Sequence, residues 1–362
     1  MIVKRKLNTF QLSLLLLHAQ IGVGMITLVT DVYFKAGVDS WISIIVAGSF
    51  IQILILLFSL LFRRFPGKNF FQILEIVFGK WIGKFSTILL CIYFIMISAI
   101  LISKYIVILK SWLLPLTPKW ILILILMLIT IYVAKENLHV ITRFYFLALF
   151  VVYIFFGFVI YSLKDANITY ILPIANNGIF PILKGSQIAS YSFQGFEYLL
   201  FLAPYTLASN RQIIVTASVT NWFITFFYMF VVLANQLFFS GEEIKLITEP
   251  IFYLVKSISF QIIERPDLIF TSLWIVLVIT STVILFYIIS LGLSTVLNTA
   301  KRTPFLYIST AISFLISLFL YGEERINHVT DKFHVFILFF SAVFPLLVLV
   351  ISRLMKRTGE TK

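Results

Sequence analysis

Residues 192–197 read SFQGFE and residues 21–25 read IGVGM. Each stretch lies inside a hydrophobic segment of membrane-spanning length, and each places glycine where a continuous helix would carry a packing side chain. Glycine costs about 1 kcal/mol relative to alanine within a helix, so Gly22, Gly24 and Gly195 mark positions where the helix is expected to unwind. Non-helical backbone at bilayer depth is tolerated only when it is buried in protein or lines an aqueous cavity. Paired interruptions at corresponding places in two halves of a chain point to the substrate site of a transporter-like fold. The second break also carries Glu197, the single acidic side chain expected in the apolar interior, where a charge costs a few kcal/mol on insertion scales. The two breaks are therefore read as one site.

The rest of the composition agrees. Of 362 residues, 61% are hydrophobic and 12% charged, and mean hydropathy is +1.05. This is an all-α polytopic membrane protein, read as a single transmembrane domain over residues 1–362. The lone Cys91 excludes an intrachain disulfide and a thiolate metal site. The first apolar run, from about residue 10, lacks a small-residue cleavage site and is expected to remain as a span. No phosphate loop, no dinucleotide glycine fingerprint and no nucleophile beside a His and an acid is present, so an enzyme is not expected, nor any cofactor.

Runs of about 20 apolar residues predict ten spans, near residues 10–30, 41–62, 85–109, 119–134, 144–163, 186–206, 217–239, 268–299, 304–321 and 333–354. Lys and Arg of the short connections gather on one side, from Lys4 and Arg5 through Arg63, Arg64, Lys80, Lys135, Arg143, Arg211 and Arg302 to Arg353 and Lys362. Glu75, Glu136 and Glu360 are the acids among them. By the positive-inside rule that side is cytoplasmic and holds both termini. The net charge of +13 is thus topological, with some attraction to membrane lipid, and nucleic acid is not expected as a partner.

Three connections are more than turns. Residues 66–84 carry apolar positions at helical spacing between cationic ends, the pattern of a helix lying in the inner interface. Residues 165–185 contain Pro173, Asn176, Asn177, Gly178 and Pro181 and read as an extended outer loop. Residues 241–267 read as a hairpin over an outer vestibule. An odd number of helices per half forces the halves into opposite orientations, so the broken spans one and six begin inverted repeats of five spans each, approximately residues 8–164 and 183–355.

Each candidate side chain has a plain reading beside the functional one. The amides of Gly22, Val23 and Gly24 at a half-helix N-terminus suit a carboxylate; the glycines also suit close helix packing. Glu197 is either a proton-sensing carboxyl or a fixed acceptor for unwound backbone. Thr280 and Ser281, with Thr282, either line an ion or water path or bond back to the carbonyl one turn earlier. Tyr93 either meets a ligand or fills the core. His18 and Gln20 are expected to be satisfied within the bundle, with no metal role because no second ligand follows at helical spacing. Lys104 is expected to snorkel outward.

The G-x-G of span one and the G-F-E of span six resemble the paired motifs of the amino acid, polyamine and organocation transporter superfamily, which implies a LeuT-like five-plus-five inverted repeat with helices one and six broken. Within it the chain resembles the B subunit of GerA-type nutrient germinant receptors of Bacillus-like spores. The resemblance rests on LNTFQ at 7–11, GVGMITL at 22–28, GKWIG at 79–83, SFQGFEYLLFLAP at 192–204 and ERPDLIFTSLW at 264–274, in that order. It implies a ligand-sensing membrane subunit of the spore inner membrane that binds an amino acid or similar small nutrient and works with A-type and C-type subunits. Gly22, Val23 and Gly24 would then hold the carboxylate, the stretch from Ser192 to Glu197 (Ser192, Phe193, Gln194, Gly195, Phe196 and Glu197) the amine and side-chain end, and Tyr93 and Thr280 the walls. The alternative is an autonomous amino acid permease using the same pocket. Val29 stands where relatives often have proline, and span five lacks the lysine of some proton-coupled relatives. Thr280 and Ser281 occupy the place of the hydroxyl pair of sodium-driven ones.

Overall fold

The computed structural model describes residues 6–175, 178–258, 264–320 and 322–359. Lys4, Arg5, Asn176, Asn177, Glu360 and Lys362, named above, lie outside the described residues. The described chain is helical throughout save for short turns and one parallel bridge, Leu7 to Thr206.

The first hydrophobic segment is two helices, α1 (Thr9–Gln20) and α2 (Val23–Ala36). Asn8 starts α1 by a reciprocal cap with Gln11, which satisfies two orphan N–H groups at once. Then follow α3 (Ser40–Arg64), α4 (Phe70–Phe78), α5 (Lys80–Trp112), α6 (Lys119–Ala134) and α7 (Leu138–Ser162). The second half opens with α8 (Ile179–Ser192), a break, the single turn α9 (Leu199–Leu202) and α10 (Asn210–Phe238). Two short helices, α11 (Gly241–Leu246) and α12 (Pro250–Ser257), precede α13 (Pro266–Val296), α14 (Thr303–Phe319), α15 (Glu323–Leu338) and α16 (Phe344–Leu354).

Among the described residues six stretches are long and apolar enough to cross a membrane: Val23–Arg64, Lys80–Trp112, Leu138–Asp165, Asn210–Phe238, Pro266–Val296 and Glu323–Leu354. Two shorter apolar helices, Lys119–Ala134 and Thr303–Phe319, accompany them. The protein is a polytopic integral membrane protein. Its axis is α13, whose residues from Leu277 to Ser290 are all buried against α1, α5, α6, α7 and α14. An apolar helix buried all round is the centre of a bundle.

Several expected boundaries move, each for a local reason. Helix α7 begins at Leu138 and α10 at Asn210, six or seven residues before the hydropathic edges, because Asn137 and Ser209 cap them; Ser209 exchanges bonds with Gln212. Helix α8 begins at Ile179, and Pro181, expected to stop a helix, lies in its first turn. Proline is tolerated there because that N–H has no helical acceptor. The expected interfacial helix appears as α4, but its apolar face is covered by protein: Phe70 and Phe71 are buried against Phe201, with ring centroids 5.7 and 4.7 Å apart. The last hydrophobic segment is one run from Glu323 to Leu354 with a π-helical turn at Phe339–Val343. The turn precedes Pro345, whose ring and missing N–H disturb the preceding turn.

A candidate ligand site where two helices break

Helix α1 ends at Gln20; Ile21 turns extended and Gly22 (φ −152°, ψ −141°) opens α2. The reason for glycine is steric. A Cβ on Gly22 would lie 2.5 Å from Ser281 Oγ on α13. Helix α8 ends at Ser192, and Gly195 takes φ +115° before a short 3₁₀ turn over Phe196–Tyr198. Here two reasons coincide, since the left-handed region favours glycine and a Cβ would fall 2.9 Å from the backbone of Ala19. The second break therefore sits directly on the first.

Each break frees backbone groups, and side chains from the other elements take them up. Tyr228 on α10 donates its hydroxyl toward both Gln20 O (2.8 Å) and Ser192 O (3.2 Å), joining the ends of α1 and α8. Ser192 Oγ donates to Gly24 O at 3.0 Å. Glu197 Oε2 accepts from the Gly195 N–H at 2.9 Å, while Oε1 is buried without a hydrogen-bond partner among the described residues. The far ends are tied too: Leu7 N–H donates to Tyr205 O (2.8 Å) and Leu207 N–H to Leu7 O (2.7 Å). An unpaired buried backbone group costs as much as a lost hydrogen bond, so these bonds make the broken geometry a settled conformation.

Two cavities that share lining residues adjoin the breaks. The smaller, about 40 Å³, lies between them and is lined by Gly22, Val23, Gly24, Ser192, Gln194 and Ser281, with Gln20, Tyr191 and Tyr198. Gly24, Tyr191, Ser192 and Gln194 also line a cavity of about 400 Å³ that extends along α2 as far as Lys35 and along α15 from Ile337 to Asn327. Its wall carries Asp31, Lys104, Asp331 and His334. Lys104 interacts electrostatically with Asp31 and Asp331, and Asp331 Oδ1 lies 3.8 Å from His334 Nδ1. A cavity with a charged wall thus reaches the backbone of both breaks.

The candidate residues divide. Gly22, Val23, Gly24, Ser192 and Ser281 face a cavity. Tyr93 stands one layer behind, its hydroxyl accepting from Gln194 Nε2 at 2.8 Å and its ring stacked on Phe333. Phe193 packs edge-on against Tyr228, and Phe196 stacks on Phe58. Gly195 and Glu197 shape the second break from behind. Thr280 and Ser281 both donate to Leu277 O, at 2.8 and 2.7 Å, and Thr280 Oγ1 lies 3.3 Å from His18 Nδ1. Tyr145 donates to Thr280 O and meets the His18 ring edge-on. Thr280 therefore braces α1 against α13 and touches neither cavity. Among the described residues no three His, Cys, Asp or Glu side chains gather as a metal site.

Sequence reasoning missed Tyr191, Asp31, Asp331 and His334, and expected Lys104 to leave for the interface, whereas it lines the larger cavity. Gln194, the one amide within the second break, lines both cavities. The charged residues come from α2, α5 and α15, and no spacing along the chain brings them together.

A family model described as "Spore germination protein" matches residues 6–326. The chain is similar to spore germination protein YndE of Bacillus subtilis (strain 168), at 25% identity over 359 residues, 98% of either chain. It is similar also to spore germination protein GerQB of Bacillus cereus, at 24% over 325 residues, 90% of this chain and 89% of that one. Spore germination protein A2 of Bacillus subtilis (strain 168) is 27% identical over 367 residues, 99% of this chain and 98% of that one.

Proposed function

Because the chain belongs to the spore germination protein family, we propose that it is the nutrient-sensing subunit of a germinant receptor, binding an amino acid or similar small nutrient where its two broken helices meet. The observation that carries this reading is the continuity of the 400 Å³ cavity with both breaks through Gly24 and Ser192. The first break offers amides at the N-terminus of α2, which favour an anionic group. Ser192, Gln194 and the charged wall offer partners for an amine. In this reading the protein crosses the spore inner membrane ten times as a LeuT-like five-plus-five inverted repeat, with both termini cytoplasmic. Occupancy shifts a two-state bundle, and the change passes to A-type and C-type subunits. A ligand does this only through unequal affinity for the two states.

The test uses the purified full chain in proteoliposomes, screened with radiolabelled amino acids for saturable binding and for uptake. Saturable binding that Gly24→Leu removes, without concentrative uptake, is the expected result. The larger side chain would enter the space beside Ser192, whose Cα lies 3.4 Å from the position of a Cβ on Gly24. Binding unaffected by Gly24→Leu would refute the site. Robust concentrative uptake by the chain alone would replace the receptor with an autonomous permease.

A further inference from the structure

The C-terminal segment folds back beneath the end of α3. Arg64 is fixed there, its Nε donating to Arg357 O (2.8 Å) and its NH2 nitrogen to Ser352 O (2.7 Å), while Gly359 N–H donates to Arg64 O (3.1 Å). This closure leaves a pocket of about 410 Å³ lined by Leu60, Arg63, Arg64, Pro66, Arg353 and Thr358. Three guanidinium groups and a hydroxyl share it, and no carboxylate is among the lining residues. Arg64 is used as a cap for helix-end carbonyls, the ordinary role of a base there. Arg63 and Arg353 are not: among the described residues neither forms an ion pair or a hydrogen bond to a carbonyl.

Each of the two helices that bring these bases leads away from the pocket along an exposed apolar stripe. On α3, Ile53 and Leu56 are exposed two turns and one turn before Leu60, at the spacing that keeps them on the face of Arg63 and Arg64. On α16, Leu347 and Val350 are exposed at steps of three residues leading to Arg353, and α16 packs on α3. Cationic donors at the end of two apolar tracks match one kind of molecule, an anionic head joined to hydrocarbon chains.

We propose that this pocket binds the phosphodiester headgroup of an anionic phospholipid, held by Arg63 and Arg353 with Thr358, its acyl chains lying along the two stripes. Guanidinium forks suit phosphate oxygens, and basic pockets between membrane helices are sites of such headgroups. The assignment is independent of the nutrient site and of the signalling partners. Because the C-terminal segment roofs the pocket, a bound lipid would hold that segment against α3.

The experiment is native mass spectrometry of the detergent-solubilised full chain titrated with phosphatidylglycerol, phosphatidylcholine or inorganic phosphate. One retained phosphatidylglycerol per chain is expected, with binding weaker on the order of tenfold in R63Q/R353Q. Exposed positions make that variant expected to fold as the parent does. R143Q/R211Q, which removes two bases elsewhere on the basic side, should bind as the parent. The proposal is overturned if both variants weaken binding alike, if phosphatidylcholine binds equally well, or if inorganic phosphate displaces the lipid at equal concentration. The first result means diffuse attraction, the second an apolar groove, and the third a free-anion site.

Discussion

Gly22→Ala isolates the contact on which the first break depends. Gly22 has φ −152°, outside the left-handed region that favours glycine, and an added methyl meets its obstacle in space. The added methyl would sit 2.5 Å from Ser281 Oγ and 3.3 Å from Ser281 Cβ. An ordinary contact needs about 1 Å more than the first of these, and overpacking of this kind costs about 1–3 kcal/mol. Ser281→Ala removes the oxygen and leaves only the milder contact. Alone it should cost less than about 1 kcal/mol, since the lost bond is a back-bond within α13 to Leu277 O. The double variant should then recover most of the loss, giving a coupling of about 1–2 kcal/mol in a double-mutant cycle. Thermal unfolding of the four detergent-solubilised proteins, scanned at one rate, is the assay. If the two losses simply add, the glycine is required for another reason and the steric account fails.

Gly195→Ala should be the harsher change and should resist rescue, because positive φ and a clash with the Ala19 backbone act together and Ala19→Gly removes only one of the contacts; low yield of folded protein in both single and double variants checks this. Glu197→Gln keeps an oxygen for the Gly195 N–H and should melt near the parent, whereas Glu197→Ala orphans that donor at a cost of about 1–3 kcal/mol. Loss of ligand binding in the glutamine variant at unchanged melting temperature would assign the carboxyl a role beyond accepting that bond. Lys104→Met should leave unfolding unchanged and weaken binding of a zwitterionic ligand on the order of tenfold, read by competition binding, if the cavity wall selects charge. Ser240→Ala should fray α11 by about 1 kcal/mol through loss of its capping box with Glu243, seen as faster amide exchange confined to Gly241–Leu246.

The amino-acid order alone placed the two breaks and identified the chain as a helical membrane protein. Both follow from short-range physics: bilayer thickness sets the length of an apolar run, and glycine at 22 and 195 weakens a helix wherever it stands. Helix starts were also written locally, in the Asn-x-x-Gln and Ser-x-x-Gln caps at Asn8, Asn69 and Ser209, and hydropathy overlooked them because a cap is polar. Which side chains reach the cavity was not local. Glu197, Tyr93 and Thr280 were reasonable candidates by chemistry, yet helix rotation turned them behind the wall, while Asp31, Lys104 and Asp331 met across three helices far apart in the chain. A helical side chain's direction changes by about 100° per residue, so only the packing of α2, α5, α8, α13 and α15 around one another decided what the opened backbone faces.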